Sequence, residues 1–147
     1  MYKIEPMSID DFDEVLRLCQ NTEGMGLGES DTRPALAQYL ARNPGLSLVA
    51  REGKEMVGTV LCGNDGRRGY LYHLAVSKLH RKNGLGKKLV ELCLSQLEEL
   101  GILRCNVLVF TDNMDGELFW IHNGWEKRSN VQLLQKAIVP LGRNRCC

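Results

Sequence analysis

A chain of 147 residues with 25% charged and 44% hydrophobic side chains has enough material for one domain with a core of its own, in proportions ordinary for a soluble globular protein. Its net charge of +1 excludes a global electrostatic case for nucleic acid or a membrane surface. The longest stretch free of Asp, Glu, Lys and Arg is nine residues, which excludes a transmembrane helix, and MYKIEP does not have the form of a secretory signal.

In chain order, YKIEP alternates like a short strand. Residues 8–22 read as a helix: Ser8 can cap it with Asp11 three residues on, and Ile9, Phe12, Val15, Leu16 and Cys19 share one face. Residues 23–32, EGMGLGESDT, are glycine-rich and irregular. RPALAQYLARN is a second helix, with Pro34 suited to its first turn and Asp31 or Thr32 available as its cap. LSLVARE and EMVGTVLCG are β-rich runs joined through Gly53, a hairpin. After the turn NDGRRG, YLYHLAV is apolar on both faces, as a central strand should be.

From Gly84 to Leu100, residues Leu85, Leu89, Leu92, Cys93, Gln96, Leu97 and Leu100 fall on one helical side. RCNVLVFT, 104–111, is another buried strand, and MDGELFWIHNG a short helix ended by Gly124. WEKRS and VQLLQKAI form a closing strand pair. The order β-α-α-β-β-β-α-β-α-β-β predicts a mixed α/β sheet with helices on both faces. Residues 1–139 make one domain, and 140–147 a flexible tail carrying Cys146 and Cys147.

The six cysteines show no metal spacing, and His73, His80 and His122 are scattered, so no metal site is expected. Most cysteines have apolar neighbours, where a reduced thiol acts as a small hydrophobe. A reduced cytoplasmic protein is the simplest reading. His80 and His122 read as exposed and structural.

HRKNGLGKK, 80–88, sets Arg81, Lys82, Lys87 and Lys88 around two glycines at the start of a helix, the end whose dipole disfavours cations. Gly86 in the first turn costs roughly 1 kcal/mol against alanine. Both features are explained by an anion on the unpaired first amides, which Gly84 and Gly86 leave open to approach. Two familiar phosphate loops do not fit: Gly86-Lys87 is followed by Lys88 with no glycine five residues earlier, and the dinucleotide fingerprint needs glycine where Leu89 stands.

The stretch YLYHLAVSKLHRKNGLGKKLVE resembles the GNAT superfamily of acetyl-CoA-dependent N-acetyltransferases. Its hallmark [RQ]-x-x-G-x-[GA] stands here as Arg81-Lys82-Asn83-Gly84-Leu85-Gly86. A second hallmark, an asparagine and then a short helix closing in aromatics, stands as Asn113, Phe119-Trp120 and Gly124-Trp125. The resemblance covers nearly the whole chain. It implies a mixed, mostly antiparallel sheet of six to seven strands with about four helices packed on both faces, and transfer of acetyl from acetyl-CoA to a primary amine without a metal. It implies that amides from Arg81 to Lys87 (with Lys82, Asn83, Gly84, Leu85 and Gly86 between) bind the coenzyme A pyrophosphate, with Lys87 or Lys88 near the phosphates. The main chain at Leu74, Ala75 and Val76 would pair with the pantetheine arm, and Asn113 and Trp120 would touch it. The thioester would lie where strands 70–76 and 104–111 splay apart. Small members of the superfamily are often homodimers.

The chain departs from the family where catalysis is usually assigned. Trp120 occupies the place of a proton-donating tyrosine; indole N–H donates a hydrogen bond but is no usable acid near neutrality, and Trp120 can equally be packing. Gly116 stands where alanine is common. Tyr72 holds the place of a glutamate base, with Tyr70 on its face of the strand and His73 on the opposite one. His73 has an intrinsic suitability as a base, against the plainer reading of a hydrogen-bonded core histidine. Tyr72 is a candidate to orient substrate or water. In the glycine-rich segment Glu23, Glu29 and Asp31 would favour a cationic amine, unless Asp31 serves only as a helix cap and the glutamates are solvated. The missing tyrosine and glutamate leave an alternative, a non-catalytic acyl-CoA-binding module; a nucleotide-binding domain using the loop for another phosphate is a third.

Overall fold

The computed structural model describes residues 1–142. Strand β1 (Lys3–Pro6) leads through a 3-10 turn (Ile9–Asp11) into helix α1 (Phe12–Gln20), followed by α2 (Arg33–Arg42). Strands β2 (Leu48–Glu52), β3 (Glu55–Asn64) and β4 (Gly69–Val76) come next, then a 3-10 turn (Lys78–His80), α3 (Leu85–Glu99), β5 (Cys105–Val107) and α4 (Met114–His122). The sheet order is β1-β2-β3-β4-β5. The first three pairings are antiparallel and β4–β5 is parallel.

Local chemistry fixes the helix ends. Ser8 and Asp11 form the expected reciprocal cap, although the first turn it closes is 3-10 and α1 starts only at Phe12. Thr32 caps α2 by accepting from the Ala35 amide at 3.3 Å, with Pro34 in the first turn. Gly124, at φ +88°, ends α4. Its amide reaches Ile121 O and that of Trp125 reaches Trp120 O, the paired bonds of a left-handed C-terminal cap.

Two apolar layers sandwich the sheet. On one face Leu85, Leu89, Val90, Cys93 and Leu97 of α3 pack on Ala50, Val57, Val60, Cys62 and Leu71. On the other, Val15 and Cys19 of α1 and Leu36 of α2 pack on Val49, Met56 and Ala75. Helices therefore cover both faces, and Leu89 or Leu97, fully buried, would each cost about 2–5 kcal/mol on truncation to alanine. Arg51 ties α1 to β2, donating to Asp11 at 2.8 Å and Glu14 at 3.0 Å.

Three expectations change. The described sheet has five strands, not six to seven. The strand expected at 104–111 is ordered as such only over Cys105–Val107. The closing pair at 125–129 and 131–138 is absent, and Val131, Leu133, Leu134, Ile138 and Val139 are exposed. Alternation in VQLLQKAI expresses fitness for a half-buried pleated surface, but a strand forms only along a neighbour's ladder, and the outer strand β5 is three residues long. Of the expected tail, 140–142 are exposed and irregular; 143–147, with Cys146 and Cys147, lie outside the described residues. No helix among the described residues is long and apolar enough to cross a membrane.

Candidate active site

The site begins with a fault in the β3–β4 ladder. Thr59 faces Ala75 and Leu61 faces Tyr72, so two residues of β4, His73 and Leu74, oppose the single Val60. This is a β-bulge, which inserts one residue and breaks the alternation of side chains. His73 takes it up in the left-handed region, φ +51°, uncommon for any residue but glycine though tolerated by histidine better than most. The expectation that His73 faces away from Tyr72 assumed unbroken alternation. With the bulge, both side chains line the same cavities.

The first cavity, about 720 Å³, is a cleft opening where β4 and β5 part beyond the Leu71–Val107 pair. Leu74 and Val76 form one wall and Val107 to Phe110 the other; Arg81, Lys82, Gly84, Leu85, Gly86 and Lys87 close one end, and Asn113 and Trp120 also line it. Lys82 and Gly84 are both left-handed, at φ +66° and +79°. Gly84 caps α3 with no side-chain hydrogen bond, so the first helical amides face the cleft without a built-in acceptor. A Cβ on Gly86 would sit 3.3 Å from the Phe119 ring, so the helix start and α4 are closely apposed there.

Not every expected residue joins this cleft. The Ala75 side chain is buried among the α1 and α2 residues on the opposite face, which leaves only its main chain to take the expected part. Asn83 is outside the lining, its Nδ2 donating to Tyr2 Oη at 3.2 Å. His80, expected exposed, has its ring mostly covered, against Tyr2 with Nδ1 to Oη 3.1 Å. Asn113 has a structural duty, its Oδ1 accepting from the Gly116 amide at 3.0 Å. A Cβ on Gly116 would collide with that capping side chain, the local reason for glycine there. Trp120 stacks edge-on with Phe119 and Trp125, centroids 5.1 and 4.8 Å away, so packing is its evident role.

Glu23 is on the cleft rim, where Arg81 donates to it and Lys78 lies 3.8 Å away. The hydrogen bond from Arg81 holds its carboxyl below the usual range. Glu29 is exposed and lines neither cavity.

The second cavity, about 620 Å³, lies between the α1–α2 layer and the sheet, lined by apolar residues including Phe12, Leu16, Leu27, Leu36 and Leu61, with Tyr39 and Tyr72 edge-on. It shares Gly26, Tyr72 and His73 with the first. His73 Nε2 is 2.7 Å from Asp31 Oδ1, and both side chains are largely shielded from solvent. Asp31 also accepts from the Gly28 amide at 2.7 Å. Burial alone would raise the Asp31 carboxyl, but the hydrogen bonds from His73 and Gly28 and the nearby imidazole charge outweigh it and hold it below its ordinary value. A carboxylate at Nε2 favours the proton on that nitrogen and leaves Nδ1 as the acceptor.

The Asp31 partnership was missed in the sequence, where Asp31 and Thr32 competed for one cap. Because Thr32 takes the cap, Asp31 is released to β4. A group whose folded pKa is depressed contributes stability present above its ordinary value near pH 4 and lost as pH falls below it. Asp31→Asn should therefore melt below the parent at neutrality, with the gap narrowing toward about pH 3. Thermal melts across that range check it; a gap independent of pH would remove the ionised pair.

A sequence model of the acetyltransferase (GNAT) family matches residues 11–124. An acetyltransferase of Yersinia pseudotuberculosis is 32% identical over 130 residues, 88% of this chain and 92% of that protein. One from Sodalis glossinidius is 29% identical over 130 residues, 88% and 91% of the two chains. Among solved structures, a PaiA N-acetyltransferase from Thermoplasma acidophilum in complex with coenzyme A superposes with a TM-score of 0.76, with 19% identity over 86% of this chain and 90% of the other, a likeness of fold.

Proposed function

We propose, because the chain belongs to the acetyltransferase (GNAT) family and is thereby an acyltransferase, that it transfers the acetyl group of acetyl-CoA directly to a primary amine. The observation that carries this reading is the meeting of the two cavities at Gly26, Tyr72 and His73: one cleft for the donor, one pocket for the acceptor, and a paired imidazole between them. Residues 1–139 are taken as the unit that does this.

The donor cleft fits an elongated molecule with a phosphorylated end. The uncapped start of α3 offers amides, the left-handed backbone at Lys82 and Gly84 turns the loop into a concave anion cradle, and Arg81, Lys82 and Lys87 add charge. Acetyl-CoA supplies the activated acyl group. The chain's part is position and proton handling. The amine nitrogen bonds to the acetyl carbon and the thioester C–S bond breaks, coenzyme A leaving as a thiolate that solvent protonates. His73 Nδ1 takes the proton that the attacking amine gives up, while Nε2–H donates to Asp31, which fixes the ring and stabilises the imidazolium formed. Tyr72 stands beside it to orient the acceptor. Trp120 is assigned to packing and to the cleft wall, with no proton to give. The imidazole pair favours catalysis over a purely binding module.

Two measurements test the reading. Thermal shift should respond to acetyl-CoA and not to ATP or NAD, and thiol release should follow amine in a panel of primary amines. Acetyl-CoA binding with no release for any amine would favour the binding module.

The mechanism needs no protein nucleophile. Burial pushes the Cys19 thiol up to about 12, with Asp31 nearby adding to the effect. Cys105 is likewise pushed up to about 12 by burial. Thiols so far from ionised are poor nucleophiles. Mass spectrometry after mixing with acetyl-CoA alone should show no acetyl adduct on cysteine, and Cys19→Ala should keep its turnover within about threefold. A stoichiometric adduct that an amine then discharges would overturn direct transfer.

A further inference from the structure

The charges around the acceptor cavity run opposite to those a polyamine would need. Its one lining carboxylate, Asp31, is held by His73. Glu23 is turned to Arg81 on the other cleft. Arg42 lines the cavity and no carboxylate pairs with it among the described residues. Arg33 adds a second positive charge beside the lining, its guanidinium 5.9 Å from the centre of the Phe12 ring. The end of the pocket at Arg42, away from the His73–Asp31 pair, therefore repels a second cation and offers a partner to an anion.

Distance narrows the class further. Arg42 Nη1 donates to Asn64 O at 2.7 Å, which anchors the guanidinium at the end of β3. Tyr72, beside His73, faces Leu61. From Leu61 to Asn64 is three strand residues, on the order of 10 Å. The cavity they share is lined by Leu16, Leu27, Leu36 and Leu61 with the two tyrosines. An α-amino acid is too short to touch both ends.

We infer, resting on the transfer reading above, that the acceptor is a long amine with an apolar body and a terminal anion: its nitrogen lies at His73 and its carboxylate, or similar group, at Arg42. An ω-amino acid of medium chain has this chemistry.

Three matched amines test it: aminooctanoate, octylamine and diaminooctane, each with its charge at the far end set to negative, absent or positive. The wild-type kcat/KM should favour aminooctanoate over octylamine by about tenfold, a charge-assisted bond discounted for Arg42's exposure, and over diaminooctane by more. Arg42→Gln should erase that preference, Arg42→Glu should invert it toward diaminooctane, and Arg42→Lys should keep part of it. Calorimetry with the mono-N-acetylated compounds, on protein loaded with coenzyme A, reads the same ranking without turnover. If no amine releases thiol but the binding ranking holds, the transfer reading fails and the ligand class stands. Equal use or binding of octylamine, a ranking unmoved by Arg42→Glu in a variant that melts normally, or no binding by any of the three overturns the class.

Discussion

His73→Gln lowers turnover about a hundred- to ten-thousandfold, the range for loss of a positioned general base, with acetyl-CoA affinity nearly unchanged. Glutamine keeps an amide N–H that can reach Asp31 but has no nitrogen lone pair for the proton. It must also occupy a left-handed position, at a cost of roughly 1–2 kcal/mol, so its melt has to be compared with the parent's. Two readouts separate base from scaffold: calorimetry for acetyl-CoA, and partial recovery of turnover with added imidazole. Full turnover in the variant would leave His73 a core histidine. Turnover lost together with acetyl-CoA binding would make it a structural post of the cleft.

Gly86→Glu costs acetyl-CoA affinity about a hundredfold or more, since like charges brought together in an interface cost several kcal/mol. The position is helical and glutamate is a good helix former, but its Cβ would press on Phe119 at 3.3 Å and its carboxylate would enter the cleft end lined by Arg81, Lys82 and Lys87. Gly86→Ala separates the effects. It adds the Cβ without the charge, and the Phe119 ring edge needs to move only a few tenths of an ångström, so the alanine variant should bind within about tenfold of wild type. Calorimetry on both variants, with melts as control, decides it. A folded glutamate variant with unchanged affinity would remove the anion from this loop.

The glycine loop and the helix it opens were readable in the sequence because they depend on local backbone and spacing. Gly84 caps the helix that follows it, Leu85–Glu99, where the glycine spacing and the apolar period put its start. The juncture of the two cavities at His73 was not readable, because it depends on one extra residue in β4. Alternation places His73 opposite Tyr72, and nothing in YLYHLAV marks where alternation stops. Asp31 was visible, yet forty-two residues separate it from His73, and its local alternative as a helix cap was sound chemistry. The pairing of Glu23 was hidden for the same reason: Arg81, its partner, lies fifty-eight positions on. Helix caps are local and came through, although α1 itself starts only at Phe12; ion pairs across the fold did not. The absent closing strands are a third kind of miss, a propensity without a ladder to join.

The bulge also makes the site a matter of parity. Side chains of a strand change side at every step, so any even spacing keeps two residues together and any odd one parts them. In β4 the count between the Leu61 and Thr59 partners is odd where the ladder wants even, and the surplus is what seats imidazole and phenol side by side. A deletion of Leu74 would restore the even count while leaving every polar residue of the site in the chain. It would move His73 to the far side of the sheet, or drag Ala75 and Val76 out of register with Gly58 and Thr59. For this chain a change in length of one residue is thus a harsher test of the site than most changes of residue type, and a homologue lacking that residue would not seat an imidazole beside the Tyr72 phenol.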